Sequence, residues 1–189
     1  MVGFIGFLVN PGYFKSLSPL NLILSSGLIV FMNGKPHWKF FGALIGIAII
    51  GFTLEVIGVK TEVIFGAYYY GNALGIKVLS VPLLIGINWA ILIYATTQFW
   101  QINNQILNAL FGAFLMVFLD FFIEQNAAKF DFWYWENNVI PIQNYVAWFI
   151  ISFLLNLVFQ KNINKPSNQT AKAFYVIQIL FFGLFYFLH

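Results

Sequence analysis

"FFGALIGIAIIGFTLEVIGV", residues 40–59, runs for 20 residues with a single ionisable side chain, Glu55, near its end. At a rise of about 1.5 Å per residue, a run of this length crosses the roughly 30 Å hydrocarbon core of a bilayer as a helix. The stretch therefore predicts a transmembrane helix, and its neighbours read the same way: 79–99, 105–123, 142–159 and 171–188 are comparable apolar runs, and 17–32 is a shorter one. Residues 2–9 are apolar but too few to span. No basic segment or small-residue cleavage site marks them as a signal peptide. They are expected to be the second half of a first helix, either lacking its upstream half or entering one leaflet only.

Composition agrees with this reading. Of the 189 residues, 61% are hydrophobic and 8% charged, with mean hydropathy +0.84, whereas a soluble domain carries about 25% charged residues. The expected fold is all-α: a polytopic integral membrane helix bundle of six to seven transmembrane helices, the first incomplete, forming a single domain over 1–189 in a lipid bilayer. "GALIG" at 42–46 has the small-xxx-small spacing of a helix-packing contact. The longest polar connection, 160–172, reads as a flexible loop.

The same inventory excludes several functions. There is no cysteine, so disulfides, thiolate metal sites and cysteine nucleophiles are absent. His37 and His189 are too few for a membrane di-iron centre. No glycine-rich nucleotide motif is present. "DFFIE" at 120–124 is similar to an acidic magnesium–diphosphate motif, but there is no second such cluster and no arginine to hold a diphosphate. A net charge of +3 from scattered lysines offers no nucleic-acid surface. No metal and no cofactor are expected.

Counting the first half-helix as a span puts the loops near 15, 60–78 and 126–141 on one membrane face and those near 35, 100 and 165 on the other. Lys35, Lys39, Lys161, Lys165 and Lys172 lie on the second face against Lys15, Lys60, Lys77 and Lys129 on the first, which assigns the second face to the cytoplasm by a narrow margin. Whichever way the chain inserts, 55–71 and 120–138 leave helix ends on one face and can form one site. All six acids lie in these stretches: Glu55 and Glu62 in one, Asp120, Glu124, Asp131 and Glu136 in the other.

Ionisable groups within spans are costly and by default mark function. Asp120 and Glu124, four apart, share a helix face. Like charges one turn apart in a poor dielectric cannot both ionise cheaply, so one of the pair is expected to hold its proton and serve as a general acid. Asp131 and Glu136 also read as solvated interfacial acids near Lys129. Phe65, Tyr68, Tyr69 and Tyr70, with Phe130, Phe132, Trp133, Tyr134 and Trp135, form two aromatic runs. Part of them suits an interfacial belt and part the lining of an apolar site, where π faces stabilise a cation. Asn144, Trp148, Ser152 and Asn156 recur every four residues along one helix face. Interhelical hydrogen bonding accounts for Ser152 and Asn156, while Asn144, Asn88 and Trp89 are site candidates.

"LSPLNLILS" (17–25), "EVIGVKT" with "IFGAYYYGNALGIKVLSVPLLIGINW" (55–89), "LDFFIE" (119–124), "FDFWYW" (130–135) and "IPIQNYVAW" (140–148) together resemble the small polytopic carotenoid biosynthesis proteins whose members include CruF-type carotenoid 1,2-hydratases. The resemblance covers nearly the whole chain. Departures fall in loops: Glu62 replaces a glycine, Gln125 a proline, and Val139, Ile140 and Pro141 a Gly-Val-Pro. The resemblance implies a cofactor-independent enzyme of a bacterial cytoplasmic membrane, with a carotenoid and water as substrates. It would add water to the terminal C1=C2 bond of a lycopene- or γ-carotene-type end. Asp120 and Glu124 would deliver the proton and Glu55 with Asn144 would orient the water. Phe65, Tyr68, Tyr70, Asn88, Trp89, Trp133, Trp135 and Trp148 would hold the substrate. Two alternatives stand beside it: a lycopene-type cyclase, which begins with the same protonation, and a non-enzymatic carotenoid-binding protein or proton-coupled carrier.

Overall fold

The computed structural model describes residues 2–34, 36–163 and 167–188. Lys35, Lys165 and His189 lie outside them. Among the described residues there are eight α-helices: α1 Val2–Val9, α2 Pro11–Ser16, α3 Ser18–Phe31, α4 Trp38–Thr61, α5 Leu84–Thr97, α6 Gln105–Glu124, α7 Ile142–Ile163 and α8 Gln169–Phe187. Four of them, α4, α6, α7 and α8, are long and apolar enough to cross a membrane.

Of the expected six to seven spans, four have this length, and the other runs give shorter apolar helices. The 17–32 and 79–99 runs yield α3 and α5, each 14 residues long. The first five residues of the latter run do not enter the helix. A hairpin of β2 Lys77–Val78 and β3 Val81–Pro82 takes them, turning through Leu79 and Ser80 at φ 53° and 71°. The 160–172 loop is also shorter than expected: α7 continues to Ile163, and Asn168 caps α8 by accepting the Ala171 N–H at 3.1 Å. Of the two glycines of the 42–46 pattern, Gly46 meets α7, where a Cβ would lie 3.2 Å from Phe159, while a Cβ on Gly42 would meet nothing within 4 Å among the described residues.

Helix ends follow from local chemistry. Asn104 starts α6 by accepting the N–H groups of Ile106 and Leu107 at 3.1 Å. Asn10 with Pro11 starts α2. Glu62 closes α4 in the left-handed conformation, φ 60°, the position a glycine fills at least cost. It is also where the resemblance expects glycine.

The helix α5 is the axis of the bundle, with every residue from Trp89 to Thr97 buried. The helices α4, α6, α7 and α8 surround it, and α6 and α7 pack antiparallel along most of their length. A polar knot ties the end of the bundle away from the acids. Tyr94 donates to Asn33 at 2.6 Å, Asn168 Nδ2 to the Ile29 carbonyl at 2.9 Å, and the Asn168 N–H to Gln98 at 3.0 Å. At the opposite end, α1 packs Phe4 and Phe7 onto Phe185 and Phe130.

Candidate functional site

Two short strands from distant loops cover the acid-bearing end. β1, Tyr68–Tyr70, pairs antiparallel with β4, Trp133–Trp135, in the register Tyr68 with Trp135, Tyr69 with Tyr134 and Tyr70 with Trp133. Strand side chains alternate between faces, so this ribbon divides its aromatics cleanly. Tyr69 and Tyr134 point outward and stack on each other at 5.3 Å. Tyr68, Tyr70, Trp133 and Trp135 point inward and donate hydrogen bonds to carboxylates.

Glu55, on α4, accepts three of these bonds. Its Oε2 takes the Tyr68 hydroxyl at 2.5 Å and the Tyr70 hydroxyl at 2.8 Å, and its Oε1 takes Trp89 Nε1 from α5 at 2.9 Å. Glu124, at the end of α6, also accepts three: Trp133 Nε1 at 2.9 Å and Trp135 Nε1 at 2.6 Å on Oε2, and Asn144 Nδ2 from α7 at 3.0 Å on Oε1. Asn144 Nδ2 donates in addition to Asp120 Oδ2 at 3.1 Å, so one amide bridges both acids. Asp120 Oδ1 is buried with no partner among the described residues. Burial, and then the adjacent Glu55 carboxylate, push the Tyr68 and Tyr70 phenols well above the ordinary tyrosine value, keeping both as donors.

Between Glu55 and Glu124 lies a cavity of about 20 Å³, room for about one water. Its wall contains Phe65, Tyr68, Tyr70, Asn88, Trp89, Trp133, Trp135, Asn144 and Trp148 as well as the two glutamates. Trp89 and Trp148 stack at 4.2 Å. Of the residues the sequence reading assigned to catalysis or substrate binding, Asp120 alone is not part of this wall; Asn144 joins it to Glu124. Asp131 and Glu136 are also elsewhere. Asp131 accepts the Asn72 N–H at 3.1 Å and the Tyr134 hydroxyl at 2.9 Å, holding the ribbon together from outside, while Glu136 is exposed. Lys129 rests its ammonium 4.6 Å from the centre of the Phe185 ring, and burial lowers its pKa.

The sequence reading missed Ile85, which completes the wall, and the glycines that admit the aromatics. A Cβ on Gly51 would lie 2.6 Å from Trp89, and one on Gly58 would lie 2.5 Å from Phe65. The signal was present: Gly51, Glu55 and Gly58 follow the i, i+4, i+7 spacing of one helix face, and Ile85 lies one turn before Trp89. Gly66 has φ 108°, which L side chains rarely adopt, and a Cβ there would meet Pro141 at 2.6 Å.

A family model described as carotenoid biosynthesis protein matches residues 19–189. The chain belongs to this family. No curated protein and no solved structure matches it. Membership of the carotenoid biosynthesis family spans the whole site, since every cavity residue falls within the matched range.

Proposed function

We propose that this member of the carotenoid biosynthesis family is a carotenoid 1,2-hydratase that adds water across the terminal C1=C2 bond of an acyclic end group, giving a tertiary alcohol at C1. The observation that carries the proposal is the pair of buried carboxylates, Glu55 and Glu124, on the wall of one water-sized cavity otherwise lined mainly by aromatic side chains. Glu124, backed by Asp120 through Asn144, gives a proton to C2, and the π electrons of the double bond form the new C–H bond. The faces of Tyr68, Trp133 and Trp135 shelter the tertiary cation left at C1. A water oriented by Glu55 forms the C–O bond and releases its proton to Glu55. Moving that proton back to Glu124 restores the site, and the balance needs neither reductant nor nucleotide.

The end group is larger than the cavity, so the wall opens to receive it. On this reading the ribbon, with three residues per strand, is the part that opens. The proposed setting is a bacterial cytoplasmic membrane, with α3 and α5 counted as spans beside the four long helices and α1 as a partial seventh. α5 is enclosed by protein and needs no lipid-spanning length of its own.

Expression in bacteria that accumulate lycopene or γ-carotene, followed by liquid chromatography and mass spectrometry, tests the reaction. The expected product is heavier by one water with an unchanged chromophore. Glu55→Gln and Glu124→Gln should each lower it by about 100-fold or more at equal protein level. An isomer of unchanged mass with a shortened chromophore would replace hydration with cyclisation. Unaltered pigment beside folded protein would remove both.

A further inference from the structure

The seam between α6 and α7 carries polar groups that the cavity does not use. Beyond Asn144, which belongs to the cavity wall, α7 presents Ser152, Asn156 and Gln160 toward the far end of the bundle, all buried and on one face. The expected interhelical hydrogen bonds of Ser152 and Asn156 do not form. Asn156 Nδ2 donates within its own helix to the Ser152 carbonyl at 2.9 Å, and Ser152 Oγ and Asn156 Oδ1 have no partner among the described residues. Asp120 Oδ1, on the facing helix, is a third such oxygen. Ser152 is 0% exposed, Asn156 1% and Asp120 1%.

A buried oxygen without a partner costs about 1–3 kcal/mol, and three in one seam point to a shared ligand that hydrogen-bonds all of them. The facing wall of α6 is small: the Asn156 amide packs directly on Gly112, where a Cβ would lie 2.9 Å from Nδ2, and Ala109 and Ala113 flank it. At the far end, Gln160 Nε2 donates at 3.0 Å to the carbonyl of Gln105, an exposed residue in the first turn of α6. Ser152, Asn156 and Gln160 follow one another about 6 Å apart along the α7 axis, the span one water covers with two hydrogen bonds of about 2.8 Å.

We infer that the α6–α7 seam holds a file of water running from the Gln105–Gln160 end of the bundle, past Asn156 and Ser152, to Asp120. Its purpose rests on the hydratase reading. That reaction consumes one water per double bond in a site covered on its own side by the aromatic ribbon, and the seam supplies water from the opposite side. The existence of the file does not depend on the reaction.

The cysteine-free chain permits a direct test. Single variants Ser152→Cys and Asn156→Cys are exposed, in sealed membrane vesicles of each orientation, to silver ion, a thiol reagent of nearly water size. Remaining thiol is counted after denaturation. Asn103→Cys and Glu136→Cys, in exposed loops beyond opposite ends of α6, report which aqueous side the reagent occupies. Leu155→Cys, buried in the apolar core, and Val158→Cys, on the exposed apolar face, are the dry controls.

The expected result is reaction at 152 and 156 from the Asn103 side, at least about tenfold faster than at 155 or 158 because thiol reactivity follows access to water. Rates equal to the dry controls, or reaction from the Glu136 side alone, would overturn the file. Ser152→Cys exchanges only oxygen for sulfur, so the test stands if the Asn156 variant fails to fold. The readout involves no carotenoid. A chain that makes no hydrated pigment but reacts as expected at 152 keeps the file and loses the hydratase; the converse result keeps the hydratase alone.

Discussion

Replacing Gly71 with alanine should open the aromatic ribbon without unfolding the bundle. A Cβ at this position would press into the backbone carbonyl of Asp131, 2.7 Å from its carbon, and against its carboxylate. Asp131 is itself fixed at φ 58° and cannot step back without breaking the strand junction. Three bonds are at stake: Gly71 N–H to the Phe132 carbonyl at 2.9 Å, Ala73 N–H to the Asp131 carbonyl at 3.2 Å, and Asn72 N–H to the Asp131 carboxylate at 3.1 Å. At about 1 kcal/mol each their loss approaches ~3 kcal/mol, roughly a hundredfold in the opening equilibrium at 1.4 kcal/mol per factor of ten. Hydrogen exchange read by mass spectrometry on peptides covering 66–73 and 130–136 should accelerate by about that factor, since local opening sets exchange in such segments. The centres of α4 and α6 should be unchanged, and hydrated pigment should fall with the loss of the ribbon. Gly42→Ala, which meets nothing within 4 Å among the described residues, is the control and should leave exchange in both strands unchanged. Unaltered protection of both strands in Gly71→Ala would refute the reasoning, as would equal loosening of ribbon and helices.

Glu62→Gly should stabilise the chain by about 1 kcal/mol, because Glu62 holds a left-handed cap at φ 60° that costs an L residue about that much; a higher melting temperature in detergent would show it. Tyr68→Phe with Tyr70→Phe should remove two of the three donors to Glu55 and lower hydrated pigment by about tenfold or more, read against protein level. The same pair predicts the response to alkali. Their folded pKa values are raised, so the stability they confer is present below the unfolded tyrosine value of about 10 and is lost as pH rises above it. The double phenylalanine variant should therefore resist alkaline unfolding better than the parent, relative to each protein's stability at pH 8; a parallel decline above pH 10 would show that these phenols are not the groups responsible.

Much of the bundle was legible because long apolar runs have one reading. α4, α6, α7 and α8 begin and end within a few residues of the runs that predict them. The failures have a common physical origin in tertiary pairing. β1 and β4 are three residues each and join positions more than sixty apart, too short for periodicity to declare them, although the inward and outward alternation of Tyr68-Tyr69-Tyr70 and Trp133-Tyr134-Trp135 is that of strands. The same holds at 79–83: the residues are apolar enough for a helix, but Pro82 and the paired hairpin claim them first. Site candidates were chosen by chemical oddity within apolar surroundings, and eleven of the twelve line one cavity. Asp120 joins the site through Asn144 and not at the wall, because spacing gives the face a residue occupies, and not which of two acids on that face reaches the cavity.

The chemistry of the donors explains why a helical bundle carries this ribbon. Helix backbone N–H groups are spent within each helix, so buried carboxylates at helix ends must find donors in side chains. The ribbon supplies four that also present π faces, satisfying the acids and lining an apolar cavity with the same residues. The donors around the two acids differ. From the ribbon Glu124 takes two indoles, which only donate, whereas Glu55, which also holds the Trp89 indole of α5, takes two phenols, which donate or accept. On the hydratase reading this difference gives the proton a direction. The indoles match Glu124 after it has released its proton to the substrate, and the phenol oxygens can turn to accept from Glu55 after it has taken one from water. Exchanging the two sets, phenols beside Glu124 and indoles beside Glu55, would keep the aromatic surface and lose that direction.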